Sequence, residues 1–432
     1  MEKWNKQVFG GRNKLKSHEF YLLLFGEDFR YLFSFFIVNF FILLLLFRKN
    51  IKNLFDPLNI MIINLSSCFT IFIYLLKKDL ILCKYFYQLI LINMSFLITL
   101  KIILSSKQVI IYKQILNKEF FKKYYIVHTI LFFLIVIYFY KLVNIKLMTD
   151  KLNAFNNLGL LKYTSNFLFP GQLILVFIKR EMYNYRNKTD YLIYILIFIL
   201  FFFSGGKVAT ITYFIYIFST LYFLNLIQKN ILYKKINKYS FIIFIFGFIG
   251  IIILFSLINK EKGLENILKS FLHRILSSGD TYYMAYPNNN IDKIEGISLL
   301  NYYVMPIIKP ILKRIIELKE SIYPGFQIIE AVYGIKIDSF GPNTRYDLVW
   351  QMNTGYFGII GGILSGVLMG VIRKIETLNF ILLEIMVILF VNFETIIIDF
   401  GIFSGYLFSC IFVTCILVLA SYIIDKILKK NR

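Results

Sequence analysis

Residues Tyr31–Phe47 read YLFSFFIVNFFILLLLF, seventeen positions without a single charge. Ser240–Ile258 reads SFIIFIFGFIGIIILFSLI and is equally uncharged. Both approach the roughly 20 residues with which an α-helix crosses a hydrocarbon core. Lipid offers the backbone no hydrogen-bonding solvent, so such blocks must close their bonds internally, as helices. A membrane barrel would show shorter stretches of alternating polarity instead. Working outward from these blocks, the 432-residue chain predicts eleven spans, near 30–47, 58–76, 80–100, 124–142, 158–178, 191–204, 208–228, 240–258, 350–372, 377–397 and 402–424. The expected fold is an all-α polytopic bundle of about eleven spans, within a range of ten to twelve. Residues 1–258 would form spans 1–8, residues 259–349 one long external loop, and residues 350–432 spans 9–11. Pro170-Gly171 should kink the fifth span.

Composition agrees, with 58% hydrophobic and 17% charged residues, where soluble domains carry about a quarter charged. The formal net charge of +23 would suggest nucleic acid in a soluble chain. Here Lys and Arg gather in short loops between apolar blocks, which points to membrane topology and anionic headgroups and away from nucleic acid. Lys179, Arg180, Arg186 and Lys188, then Lys229, Lys234, Lys235 and Lys238, then Arg373 and Lys374, and finally the tail with Lys426, Lys429, Lys430 and Arg432 alternate consistently if all face the cytoplasm. Eleven spans then place the amino terminus outside, against the preference of Lys3, Lys6, Arg12, Lys14 and Lys16; a membrane-associated segment at His18–Gly26 would make twelve. Residues 1–29 are too polar to read as a cleavable signal peptide.

The loop at 259–349 carries eleven Lys/Arg, ten Asp/Glu and five of the seven prolines. That mixture predicts a small folded cap with helical pieces, and a loop of such length is usually functional. Four constellations bear chemistry. Ser204-Gly205-Gly206-Lys207 turns the chain between two spans and sets Lys207 at a helix start, where backbone N–H groups and an ammonium favour phosphate. His273-Arg274, Asp280 and Tyr282-Tyr283 combine a guanidinium, a carboxylate and aromatic faces, a kit for phosphate and sugar. Gly341-Pro342-Asn343-Thr344-Arg345-Tyr346-Asp347 should hold Arg345 and Asp347 just above the bilayer. The span that follows repeats Gly358, Gly362, Gly366 and Gly370 every four residues, a smooth ridge for close helix packing. The fourth is acid at depth: Glu384 well within the tenth span, with Glu394 and Asp399 near its outer end. The plainer reading of Glu384 is an ion pair with Lys84 or Lys101. Phosphate-binding, dinucleotide and zinc motifs are absent and only three histidines are present, so no metal and no cofactor are expected.

Taken together, the spans, the long late external loop, Ser204-Gly205-Gly206-Lys207 opening a span, and the stretch from Gly341-Pro342-Asn343 to Gly362 resemble the Wzy-type oligosaccharide repeat-unit polymerases. Lys207 departs from that pattern, in which Arg often follows the glycine pair. The resemblance implies a membrane glycosyltransferase of the bacterial cytoplasmic membrane, with the long loop external. It would polymerise undecaprenyl-diphosphate-linked oligosaccharide repeats into O-antigen, capsule or exopolysaccharide, alongside a flippase and a chain-length regulator. On that reading Lys207, Arg274 and Arg345 would hold the diphosphate. Asp347, Asp280 and Glu394, in that order, are candidate bases, and Tyr282, Tyr283, Asn343 and Tyr346 would meet the sugar. Two readings stay open beside it: an O-antigen ligase-like transferase and a polysaccharide flippase or other transporter.

Overall fold

A computed structural model describes residues 28–106, 110–112, 117–142, 160–203, 209–228, 231–242, 245–246, 249, 275–312, 324–334, 343–377 and 379–430. Helices dominate: α1 (Phe29–Phe47), α2 (Pro57–Lys77), α3 (Cys83–Ser105), α4 (Lys118–Leu142), α5 (Leu160–Glu181), α6 (Thr189–Phe203), α7 (Ala209–Gln228) and α8 (Ile231–Lys238) come first. Short elements follow: α9 (Asp280–Ala285) between 3₁₀ turns at Ser277–Gly279 and Pro287–Lys293, then α10 (Leu299–Tyr303), α11 (Met305–Leu312) and α12 (Pro324–Tyr333). The chain closes with α13 (Tyr346–Thr354), a 3₁₀ turn at Gly355–Gly358, α14 (Ile359–Ile372), α15 (Phe380–Val391), α16 (Thr395–Ile398) and α17 (Phe400–Lys430). Two three-residue strands, β1 (Ile110–Tyr112) and β2 (Ile375–Thr377), pair in parallel.

Among the described residues, six stretches are long and apolar enough to cross a membrane: Arg30–Phe47, Pro57–Lys77, Cys83–Ser105, Lys118–Tyr138, Tyr346–Ile372 and Phe400–Ile427. Thr189–Phe201, Ile211–Leu226 and Phe380–Val391 are apolar but shorter, and most of 240–258 lies outside the described residues. The helical, membrane-type fold therefore stands, while among the described residues length and apolarity support six such stretches rather than eleven spans. Large apolar side chains remain exposed along several helices, including Leu45, Ile102, Leu192, Leu364 and Leu419. An apolar surface of that extent suits lipid rather than water.

Side-chain pairs fix which helix ends lie together. Arg373, just after α14, forms a two-pronged ion pair with Asp56 at the start of α2, with bonds of 2.6 and 2.8 Å. Lys123 at the start of α4 pairs with Asp425 near the end of α17, and Lys179 near the end of α5 pairs with Asp190 at the start of α6. These contacts define one basic end of the bundle. At the opposite end, Tyr74 near the end of α2 donates to Asp28 before α1 at 2.9 Å.

The glycine ridge does what its spacing predicts: α14 packs along α3. A Cβ on Gly362 would overlap the Ile92 carbonyl oxygen and the Ser95 hydroxyl, and one on Gly366 would meet the Phe96 carbonyl at 2.8 Å. The stretch before the ridge was not foreseen. Asp347 bonds Asn93 and Gln351 bonds Gln88, so α13 climbs toward the start of α3. Gly355, at φ +57°, reverses the chain, a conformation glycine adopts without a Cβ clash. Then α14 descends past Ile92, Phe96 and Ile103. Trp350 on α13 fills the space over Gly361 on α14, closing a hairpin. Arg345 therefore lies beside the middle of α3 rather than beyond its end. Its neighbour Asp347 meets Asn93, ten residues into α3, and at 1.5 Å per residue that is about 15 Å below the helix start.

The expected cap also takes a different form. The described part of 259–349 consists of short helices laid against α2, α13 and α17 rather than a body standing apart. Tyr282, Tyr286 and Tyr302 are fully buried in the bundle. Trp350 Nε1 donates to the Tyr303 hydroxyl at 2.6 Å, and Asn353 Nδ2 donates to the Ile297 carbonyl at 2.8 Å. Helices of five to ten residues cannot bury a core of their own, so they borrow the bundle's.

Replacing Gly362 with Ala should force α14 away from α3 and lower stability by about 1–3 kcal/mol. Gly405→Ala, whose nearest side-chain atom is at an ordinary 3.5 Å, is the matched control. Thermal unfolding of the detergent-purified variants reads the difference, and equal melting temperatures would contradict the packing argument.

Candidate functional site

The short element α9 is held against α2 by close backbone contact. A Cβ on Gly279 would meet Ile71 Cγ1 at 2.6 Å, and Ser67 Oγ donates to the Ile275 carbonyl at 3.0 Å. This brings Tyr282 under α13, where Phe72 packs edge-on against its ring at 4.4 Å. The Tyr282 hydroxyl donates to Asp347, 2.7 Å from Oδ1 and 2.8 Å from Oδ2, and accepts a 3.0 Å bond from Arg345 Nε. Asn93 Nδ2 donates to Asp347 Oδ2 at 2.6 Å, and the Leu348 backbone N–H donates to Oδ1 at 2.9 Å. Tyr346 donates to Asn93 Oδ1 at 3.2 Å. Arg345, Asp347, Tyr282 and Tyr346 are all wholly buried.

One feature of this network is unbalanced. Arg345 Nη1 and Nη2 are buried and have no hydrogen-bond partner among the described residues. A buried donor left unmade costs about 1–3 kcal/mol, more when charged. Two parallel guanidinium N–H groups match the oxygens of a phosphate or carboxylate. The arginine is thus anchored through Nε and presents its other two nitrogens for an anion.

A second carboxylate borders this group. Glu394, in the turn between α15 and α16, accepts a 3.1 Å bond from Asn64 Nδ2 on α2, and Asn64 Oδ1 accepts from Ser278 at 2.9 Å. Glu394 is only partly buried and lies within electrostatic reach of Arg345. Asp399, in the turn before α17, lies outside the spanning helices. Burial pushes its pKa upward, while backbone N–H groups of Gly401, Thr344 and Ile402 oppose the rise. That contact ties the α16–α17 turn to the strand of chain leading into Arg345.

The residues expected to act together divide clearly. Arg345, Asp347, Tyr282 and Tyr346, with Asn93, form one hydrogen-bonded unit. Glu394 belongs to a neighbouring chain of bonds, through Asn64 to Ser278 in the turn before α9. Asp280 opens α9 two residues before Tyr282, and Asn343 joins through its backbone carbonyl, which accepts from Thr281 at 2.8 Å. Tyr283 is half-buried against the apolar core. Lys207, His273 and Arg274 lie outside the described residues. Asp347 has both oxygens engaged, which suits an anchor better than a base. Tyr282 and Tyr346 have their hydroxyls engaged and no exposed face, so their geometry suits a frame better than a sugar platform.

Sequence reasoning passed over Asn64 and Asn93, although an amide in the middle of an apolar helix is itself a signal. It also mispaired Glu384. That side chain meets neither Lys84 nor Lys101: Tyr124 donates to its Oε2 at 2.9 Å, and His128 Nε2 lies 3.1 Å from Oε1. His128 Nδ1 in turn lies 2.7 Å from Gln172 Oε1. The carboxyl reaches this place because Gly171, beside Pro170 in α5, has no Cβ to block it.

No family model, curated protein or solved structure matches the chain. The site must be interpreted from its own chemistry.

Tyr282→Phe deletes the hydroxyl that joins Arg345 to Asp347 and should cost about 1–3 kcal/mol. Gly171→Ala should displace Glu384 and cost a similar amount, about 1–3 kcal/mol. Thermal unfolding of each purified variant measures both, and an unshifted melting temperature for either would remove that network from the account.

Proposed function

We propose that the chain is a membrane glycosyltransferase acting on polyprenyl-diphosphate-linked glycans, polymerising undecaprenyl-diphosphate-linked oligosaccharide repeats. The observation that carries this reading is Arg345: buried, anchored by Nε, with Nη1 and Nη2 lacking partners among the described residues. A diphosphate is the anionic group that a lipid substrate could bring to such depth.

In this reaction the bond between the sugar's anomeric carbon and the diphosphate oxygen breaks. The acceptor hydroxyl forms the new carbon–oxygen bond and gives up its proton. The Arg345 nitrogens would bind the diphosphate and stabilise the charge it gains as it leaves. Glu394, with a single amide bond and partial exposure, is better placed than Asp347 to take the proton. Asp347 and Tyr282 would hold the guanidinium in position. An outer position for the loop at 259–349 and a cytoplasmic position for the basic end complete the proposed topology.

A transporter reading has one observation in its favour, the buried Glu384–His128 pair against a proline-glycine site in α5. Intramembrane acids beside interrupted helices mark many transport pathways.

Proteoliposomes containing the purified chain and lipid-linked repeats on one side separate these readings. The wild type should make polymer without translocation. Arg345→Ala should lower the rate by about 10²–10³-fold, the usual loss when one charge-stabilising donor is removed. Glu394→Gln should fall by about 10²–10⁴-fold. Normal polymer from a folded Arg345→Ala variant would end the proposal, and movement of lipid-linked repeats that Glu384→Gln abolishes would favour transport.

A further inference from the structure

At the basic end, most charges described above are neutralised inside the protein. Arg373 pairs with Asp56, Lys123 with Asp425 and Lys179 with Asp190. Arg48, Lys49 and Lys101 are different. They converge on one hollow of about 580 Å³ between the ends of α1 and α3, and none forms an ion pair among the described residues. Lys101 Nζ donates to the Leu46 carbonyl at 2.5 Å and to Asn50 Oδ1 at 2.9 Å. An ammonium has three donors, so one remains for a ligand. Three cations around one hollow repel each other, and an anion seated there would relieve that repulsion.

The apolar part of the lining decides which anion. Leu45 and Leu46, on the last turn of α1, line the same hollow and are 61% and 37% exposed. Ser105, near the end of α3, adds a hydroxyl. The cations thus sit where an apolar, outward-facing helix surface ends. We propose that this hollow binds the phosphate headgroup of an anionic phospholipid, with its acyl chains running along the exposed face of α1. Free phosphate would satisfy the charges but would leave the leucine wall against water.

The test uses the full-length chain in detergent, titrated with fluorescent phosphatidylglycerol or fluorescent phosphatidylcholine. Arg48 and Lys49 are exposed and outside the candidate site, so the Arg48→Gln/Lys49→Gln double variant should unfold at the wild-type temperature. Each basic side chain near an anionic headgroup supplies about 1 kcal/mol, so the double variant should bind phosphatidylglycerol roughly tenfold or more weakly. Phosphatidylcholine binding should be unchanged, and added salt should erode the wild-type preference. Wild-type affinity of the double variant for phosphatidylglycerol would overturn the proposal. So would displacement of the lipid by inorganic phosphate alone, which would make the hollow a site for the free ion.

Discussion

The glycine face of α14 rests on α3 at backbone distance, and the depth of everything attached to it follows. With Gly362 and Gly366 against the carbonyls of Ile92 and Phe96, α14 has one allowed height along α3. The Gly355 turn then hangs α13 beside it, running the other way. Arg345 enters the interior because α13 must start where α14's own packing leaves room. Once there, it needs Tyr282, and through Tyr282 it needs Asp347 and Asn93. A guanidinium in an apolar bundle is tolerable only with such a retinue, and the short helices of the long loop deliver its hydroxyl.

Much of this was visible in the residues themselves. Uncharged blocks such as Tyr31–Phe47 announce membrane helices, and the four-residue glycine period of 358–370 announces a packed face. Arg345, Asp347 and Tyr282 stood out by type and turned out to be bonded neighbours. The hairpin was hidden because Gln351, Asn353 and Thr354 before Gly355 carry no charge, so average apolarity reads one span where the chain doubles back. Glu384 was mispaired because helix adjacency is set by three-dimensional packing: α4 and α5 meet α15 there, while Lys101 turns to the end of α1. The sequence shows that Asp347 is a carboxylate but not that Tyr282, Asn93 and the Leu348 N–H surround it in the folded chain.

The two ends of the molecule handle charge in different ways. At the basic end, Arg373, Lys123 and Lys179 are spent on internal carboxylates, which join α14 to α2, α4 to α17 and α5 to α6. Toward the other end, Arg345 has two nitrogens without a hydrogen-bond partner among the described residues, and its link to Asp347 runs through the Tyr282 phenol. The first arrangement holds helices in place. The second holds a guanidinium in a fixed position inside the bundle.

The Glu384 cluster has a mechanical meaning as well. One carboxyl accepts from Tyr124 and lies against His128, both of α4, while pressed into the gap at Gly171 of α5. Those helices and α15 are therefore riveted at a single buried point, and α3 with α14 forms another stiff pair across the bundle. Neither block can splay internally without exposing an acid or parting a glycine contact, so motion between helices falls along the seam that separates them.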